Sequence, residues 1–147
     1  MKILNNNQVL KQLNSQFGIK EINGNLVKFG EEKIFLFTGD LELLEKLEKQ
    51  RISIMGVGDY FAKEQGYELR LSIEGTHLLK EQITKNIFEL NQEQKEQWMH
   101  GHDLQIKTGK KGFFIIKYEN DFLGTGKLSE EKISNFIPKN RRLKEKS

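Results

Sequence analysis

The chain has 147 residues, enough to bury a core as one domain or two small lobes, and its lack of cysteine excludes disulfides, thiolate metal sites and cysteine nucleophiles. Its formal net charge of +3 conceals an asymmetry: 13 Lys and Arg stand against 15 Asp and Glu up to residue 100, and 11 against 6 beyond it. A basic region on a near-neutral protein is the footprint of a phosphate-bearing partner, since neutralised phosphates release counterions, although a solvated lysine-rich tail gives the same count.

In chain order, Val9, Leu10, Leu13 and Phe17 recur at spacings of three and four and predict an amphipathic helix over Asn6 to Phe17, ended by Gly18. Glu21 to Phe29 and Lys33 to Phe37 are strand-like and flank a Gly30, Glu31, Glu32 turn, which predicts a hairpin. Asp40 is placed to cap a helix from Leu41 to Gln50, with Leu43, Leu44 and Leu47 as its stripe and Glu42/Lys46 and Glu45/Lys49 at i,i+4. Ile52 to Met55 and Tyr67 to Ser72 read as strands, and Gly56, Val57 and Gly58 allow a bend between them.

Ser72 to Lys80 suits a turn into a short helix, and Asn86 to Leu90 a short strand. Asn91 and Gln94 form a capping-box pattern for a helix carrying Trp98 and Met99 to Gly101. Leu104 to Lys107 and Phe113 to Tyr118 read as strands joined through Thr108 to Gly112, and Glu119 to Asp121 supply a polar turn before Phe122 and Leu123. Gly124 and Gly126 flank Thr125 where a side chain would block a bulge or a close backbone approach; Gly124 to Lys127 is expected as a turn, and Pro138 to Arg142 as a final strand or its edge.

The constellations that could carry chemistry mostly fail. His100, His102 and Asp103 lack a third strong ligand at standard spacing, and a histidine favoured at a helix C-terminus accounts for them. LGTGKLS has Asp121 where a phosphate-binding P-loop needs glycine and Leu128 where it needs Ser or Thr, and the Gly56, Gly58 pair lacks the rest of a dinucleotide fingerprint. Glu31/Glu32 and Glu130/Glu131 lie in polar turns, and no Ser, His and acid grouping stands out as a triad. No apolar run reaches the roughly 18 residues of a membrane span, and the first 16 residues do not resemble a signal peptide, so a cytoplasmic protein with no membrane partner is expected.

The residues carry a family resemblance. Gly75, Thr76, Leu78 and Leu79, the Asn86 to Leu90 strand, the helix through Trp98, Gly112 to Ile116, Phe122 to Lys127 and Ile137 to Arg142 resemble a PUA domain, the small β-barrel named for pseudouridine synthases and archaeosine transglycosylases. More narrowly, Phe17 to Leu143 looks like the ribosome-biogenesis proteins related to the C-terminal segment of Sun-type (Fmu) RNA cytosine-C5 methyltransferases. The fold class this implies is α+β, with a small α/β lobe over residues 1–71 and a PUA-like RNA-binding barrel over 72–147.

What the resemblance implies is binding of structured RNA, rRNA or tRNA, in RNA maturation or ribosome biogenesis. The expected form is a free-standing recognition module acting alone, on a ribosomal precursor, or beside a separate modification enzyme. Sun-type enzymes use a cysteine nucleophile and a Rossmann-like domain for S-adenosylmethionine; without either, the chain is expected to have no such activity and no cofactor. The expected RNA contacts are Lys110, Lys111, Lys127, Lys139, Arg141 and Arg142 on phosphates, with backbone groups at glycine turns such as Gly124. By position, the glycine-containing loop through which PUA domains meet RNA would be Gly75, Thr76 and His77. Phe113, Phe114, Phe122 and Phe136 are expected in the core rather than as stacking platforms. Two other classes stay open: a protein-interaction factor in ribosome assembly, which calls for an exposed apolar patch, and a small-molecule enzyme on a PUA-related barrel, which calls for a deep pocket with a perturbed carboxylate or histidine.

Overall fold

The computed structural model describes residues 1–50 and 56–144. A five-stranded antiparallel sheet runs in the order β1 (Lys2–Ile3), β2 (Asn25–Phe29), β3 (Lys33–Phe37), β4 (Asp59–Gln65), β5 (Glu68–Leu71). A second sheet, with order β6 (Ile87–Glu89), β7 (Gly112–Tyr118), β8 (Asp121–Leu128), β9 (Ile133–Ser134), is antiparallel except for the parallel β6/β7 pair. Four helices, α1 (Asn6–Phe17), α2 (Leu41–Lys49), α3 (Ile73–Leu78) and α4 (Gln92–Met99), complete a mixed α/β architecture.

The helices begin and end where local chemistry places them. Asp40 accepts from the backbone N–H groups of Glu42 and Leu43, and Asn91 and Gln94 complete their reciprocal capping box. Each such cap stabilises a helix by about 1 kcal/mol. Gly18 closes α1 in the left-handed region at φ 81, donating to Asn14. The helix α1 buries Val9, Leu13 and Phe17 against Leu26, Ile34, Leu69 and Leu71 of the first sheet, and this cluster continues into Phe113, Ile115 and Phe122 of the second. The apolar stripe of α2 places Leu44 on the other side of the first sheet with Val27 and Phe29. Trp98, fully buried, centres a third cluster with Leu104, Phe114, Ile116, Leu128, Ile133 and Ile137.

Two buried polar contacts set how these layers meet. Gln16 on α1 donates to the Leu69 carbonyl at 2.9 Å and accepts from the Leu69 N–H at 2.8 Å, so one amide side chain pairs with β5 as a neighbouring strand would. The Thr125 hydroxyl of β8 donates to the Leu71 carbonyl of β5 at 2.9 Å, joining the two sheets.

Several expectations are corrected. The first strand of the β2/β3 hairpin starts at Asn25 rather than Glu21, and the strand expected at Ile52 to Met55 falls outside the described residues. Leu104 to Lys107 is not a strand: Leu104 bridges Ile133, but the Ile106 N–H turns back to the Leu104 carbonyl at 3.1 Å and bends the chain away. Gly124 to Lys127 is not a turn but the middle of β8, paired with Phe113 to Ile115; Gly124 at φ 85 lies at a register irregularity, the bulge its spacing suggested. Pro138 to Arg142 does not form a strand, because the Arg141 N–H closes on the Pro138 carbonyl and Lys139–Arg141 coils into a 3-10 turn. Gly75 and Thr76 lie in α3 rather than in a loop, both buried.

The short helix α3 rests directly on β4: a Cβ at Gly75 would stand 2.5 Å from the Phe61 carbonyl oxygen, which already accepts from Ser72. Alanine at this position gains about 1 kcal/mol of helix propensity. It also drives a methyl group into backbone, an overpacking cost of about 1–3 kcal/mol. Gly75→Ala is therefore expected to lower the urea midpoint at unchanged m-value; a midpoint at or above wild type would contradict this packing.

Candidate nucleic-acid interface

A cleft of about 380 Å³ opens where the two sheets meet. The first sheet contributes Lys33, Tyr60, Arg70 and Leu71; α3 contributes Ile73 and Glu74, and its cap Ser72 also lines the cleft; Leu123 to Thr125 of β8 and the stretch through Phe136, Ile137, Pro138, Asn140 and Arg141 close it. Register puts a row of cations beside it. Lys33 stands opposite Lys63, and Lys63 opposite Arg70, so three basic side chains share one face of three adjacent strands. Like charges in directly opposed positions work against sheet stability. The Glu32 carboxylate answers part of this charge, pairing with Lys63 at 3.1 Å.

Arg70 is half-buried, its guanidinium lying over the Phe136 ring at 3.9 Å from the centroid. Burial lowers its pKa from the ordinary arginine value, while Tyr60 and Glu32 act in the opposite direction. Phe136 in turn meets Phe113 at 6.2 Å, and the Lys127 ammonium lies 5.8 Å from the Phe113 ring. Two contiguous rings, Phe136 and Phe113, thus carry a cation at each end, Arg70 at the cleft and Lys127 beyond it.

The other residues expected to meet RNA are dispersed. Gly124 and Arg141 line the cleft, and Arg141 is ion-paired with Glu74. Lys110 covers Phe114, which points to the opposite sheet face from Phe113, so Lys110 and Lys127 do not share a surface. Lys111 and Lys139 are exposed. Arg142 is folded back: its Nε donates to the Ile137 carbonyl at 2.9 Å, and its side chain occupies the space that Gly101 leaves open. His77 is exposed at the end of α3 with Nε2 2.8 Å from the Phe122 carbonyl, and Gly75 and Thr76 face inward. His100 stands at the end of α4, its Nδ1 2.8 Å from the Leu143 carbonyl. Among the described residues no group of three or more His, Cys, Asp or Glu is placed to hold a metal, and no helix is long and apolar enough to cross a membrane.

Lys33, Tyr60, Arg70, Phe136 and Asn140 were not legible as site residues. Arg70 reads as the polar position of an alternating strand, and Phe136, 66 positions further on, reads as core; only the tertiary contact joins them. Phe113, Phe114 and Phe122 are buried as expected, whereas Phe136 is half-buried against the cleft.

Residues 85–143 match the family described as the methyltransferase RsmF PUA domain. Over these residues the chain is similar to that PUA domain. Three relatives named ribosomal RNA small subunit methyltransferase F illustrate the extent of the likeness. That of Vibrio campbellii is 29% identical over 139 residues, covering 90% of this chain and 28% of the relative. That of Vibrio cholerae is 28% identical over 133 residues, covering 90% and 27%, and that of Psychromonas ingrahamii 28% over 131, covering 85% and 26%. The chain therefore spans little more than a quarter of the length of these relatives, and the likeness extends from the PUA domain into the first sheet.

Glu74 gives the cleft a pH-sensitive edge. Burial raises its carboxyl pKa, but the hydrogen bond from Arg141, a backbone hydrogen bond and the charges of Arg141 and His77 outweigh this and leave it below the ordinary value of 4.5. Its stabilising contribution is thus complete above that value and is lost as pH falls through the depressed folded pKa. The Glu74 midpoint, followed by carboxyl NMR, is expected below 4.5 in the wild type and higher in Arg141→Ala, where burial is no longer opposed by Arg141. An unchanged midpoint in the variant would remove Arg141 as the cause.

Proposed function

We infer that this chain binds structured RNA, rRNA or tRNA, in the cytoplasm, in RNA maturation or ribosome biogenesis, and performs no chemistry of its own. The observation that carries the reading is the coincidence of an RsmF-type PUA domain with a basic, aromatic-lined cleft at its border. Phosphates would be held beside the cleft by Lys127 and Arg141 and elsewhere by Lys139, Lys111 and, on the other face of the second sheet, Lys110, while Gly124 is buried under Ile73 and shapes the wall. Arg142 contributes to the local field while holding the C-terminal segment, and Gly75 and Thr76 shape the wall from within rather than touching RNA. The matched relatives are named as methyltransferases, and this chain, without cysteine, supplies recognition to such an enzyme or to a ribosomal precursor rather than methyl transfer.

The division into a lobe over 1–71 and a PUA-like barrel over 72–147 belongs to this reading. It is supported by a first sheet that ends at Leu71 and a second that begins at Ile87. The enzyme alternative asks for a deep pocket with a perturbed carboxylate or histidine; Glu74 is a perturbed carboxylate lining the cleft, but it is shifted downward by its pairing with Arg141, away from the value suited to proton transfer near neutrality. The interaction alternative asks for a contiguous apolar patch, and the exposed large apolar side chains among the described residues, Ile3, Leu43, Tyr67, Leu78 and Leu143, lie on β1, α2, the β4/β5 turn, α3 and the C-terminal segment.

Binding to structured rRNA and tRNA fragments across a salt series tests the proposal. Affinity is expected to fall steeply with salt, and Lys127→Ala with Arg141→Ala to reduce the logarithmic slope by about 1–2, at roughly 0.7–0.9 per phosphate contact. Absent or salt-insensitive binding would refute it.

A further inference from the structure

We propose that the cleft between the two sheets receives a single unpaired nucleotide of the RNA, with the adjoining backbone running over Lys33 and Lys63. The inference rests on the RNA-binding reading and deepens it: the site is composite, built by the first sheet as well as by the PUA domain. Four observations lead to it.

The first is size. At about 380 Å³ the cleft lies near the lower end of the roughly 300–1,000 Å³ range of small-molecule sites, with room for a base and its ribose but not for a duplex. The second is the platform. Base faces stack on arginine guanidinium planes as they do on aromatic rings. Arg70 is already held over Phe136 at 3.9 Å, and both residues line the cleft. Little side-chain freedom remains to be lost when a base arrives.

The third is charge. The Lys33, Lys63, Arg70 row places like charges opposite one another across three strands, an arrangement that costs stability unless an anion answers it. Glu32 answers Lys63, while Lys33 has no ion-pair partner among the described residues. A phosphodiester along this row would meet Lys33 and the charge of Arg70 in one pass. The fourth is the opposite lip, where Glu74 holds Arg141 and the exposed Asn140 lines the cleft. Asn140 offers a donor and an acceptor to a base edge. The Glu74 carboxylate occupies the place on Arg141 that a phosphate oxygen would take.

The test compares a fully paired RNA hairpin, its stem closed by a non-nucleotide linker so that no loop base is present, with the same hairpin carrying one bulged nucleotide, using the full chain at fixed salt. Wild type is expected to bind the bulged hairpin about fivefold tighter or more, the scale of one stacked base. Arg70→Lys, which keeps the charge and loses the planar group, is expected to abolish that preference. Asn140→Ala, an exposed change with little bearing on folding, is expected to reduce the preference in the same direction. Equal wild-type affinity for both hairpins, or a preference that survives in both variants, would overturn the nucleotide site and leave RNA binding standing. Absence of binding to either hairpin would overturn both.

Discussion

The close seating of α3 between the two sheets is the constraint on which the rest of the site depends. Ser72 ends β5 and caps α3 at once: its hydroxyl donates to the Tyr60 carbonyl at 2.6 Å and accepts from the Gly75 N–H at 2.9 Å. Gly75 lets the helix lie on the Phe61 carbonyl, and on the far side Ile73 packs over Gly124, where an added Cβ would stand 3.2 Å away. With Thr125 tied to the Leu71 carbonyl, β8 is joined to β5 by a buried hydrogen bond. The cleft is what remains beside this junction. Two of its walls are strands and a capped helix; the third is the irregular stretch from Phe136 to Arg141, held where the Arg142 Nε donates to the Ile137 carbonyl.

Electrostatics then decides what the cleft holds. Cations from both parts of the chain converge on it, and the acids nearby are engaged with them: Glu32 with Lys63, Glu74 with Arg141. These pairs are partly exposed and contribute little to stability. Their effect is to lower the local field in the free protein without removing the cations. The aromatic rings lie beneath the charges rather than beside them, so Phe113 and Phe136 present their faces to Lys127 and Arg70. The expectation that these rings belong to the core is met by Phe113 and corrected at Phe136, which is half-buried and lines the cleft.

Local grammar was readable wherever a residue's neighbours in sequence settle its conformation. The caps at Asp40 and Asn91, the left-handed glycines at 18 and 101 and the β7/β8 hairpin follow from such neighbours. Failure came where a distant partner chooses. Leu104 to Lys107 alternates like a strand but finds only Ile133 to pair with, and Gly124 looks like a turn until Ile73 occupies the space it leaves. The same limit hid the site. Charge counted along the chain pointed to the C-terminal third, whereas strand pairing assembles Lys33, Lys63 and Arg70 from a stretch whose net charge is slightly acidic. Of the basic residues legible in sequence, Lys127 and Arg141 stand beside the cleft, while Arg142 is spent on anchoring the chain end.

The Gln16 amide that pairs with Leu69 also bears on how copies of this protein treat one another. β5 is the last strand of its sheet, and an open strand edge invites another chain to add to it. By filling both hydrogen-bonding groups of the central residue of that short edge, a side chain on α1 denies it to a second molecule. The cationic row can therefore reach the sheet's margin at Arg70 without that margin becoming a site of self-association. The edge beside the cationic row is thus closed by an amide on the neighbouring helix.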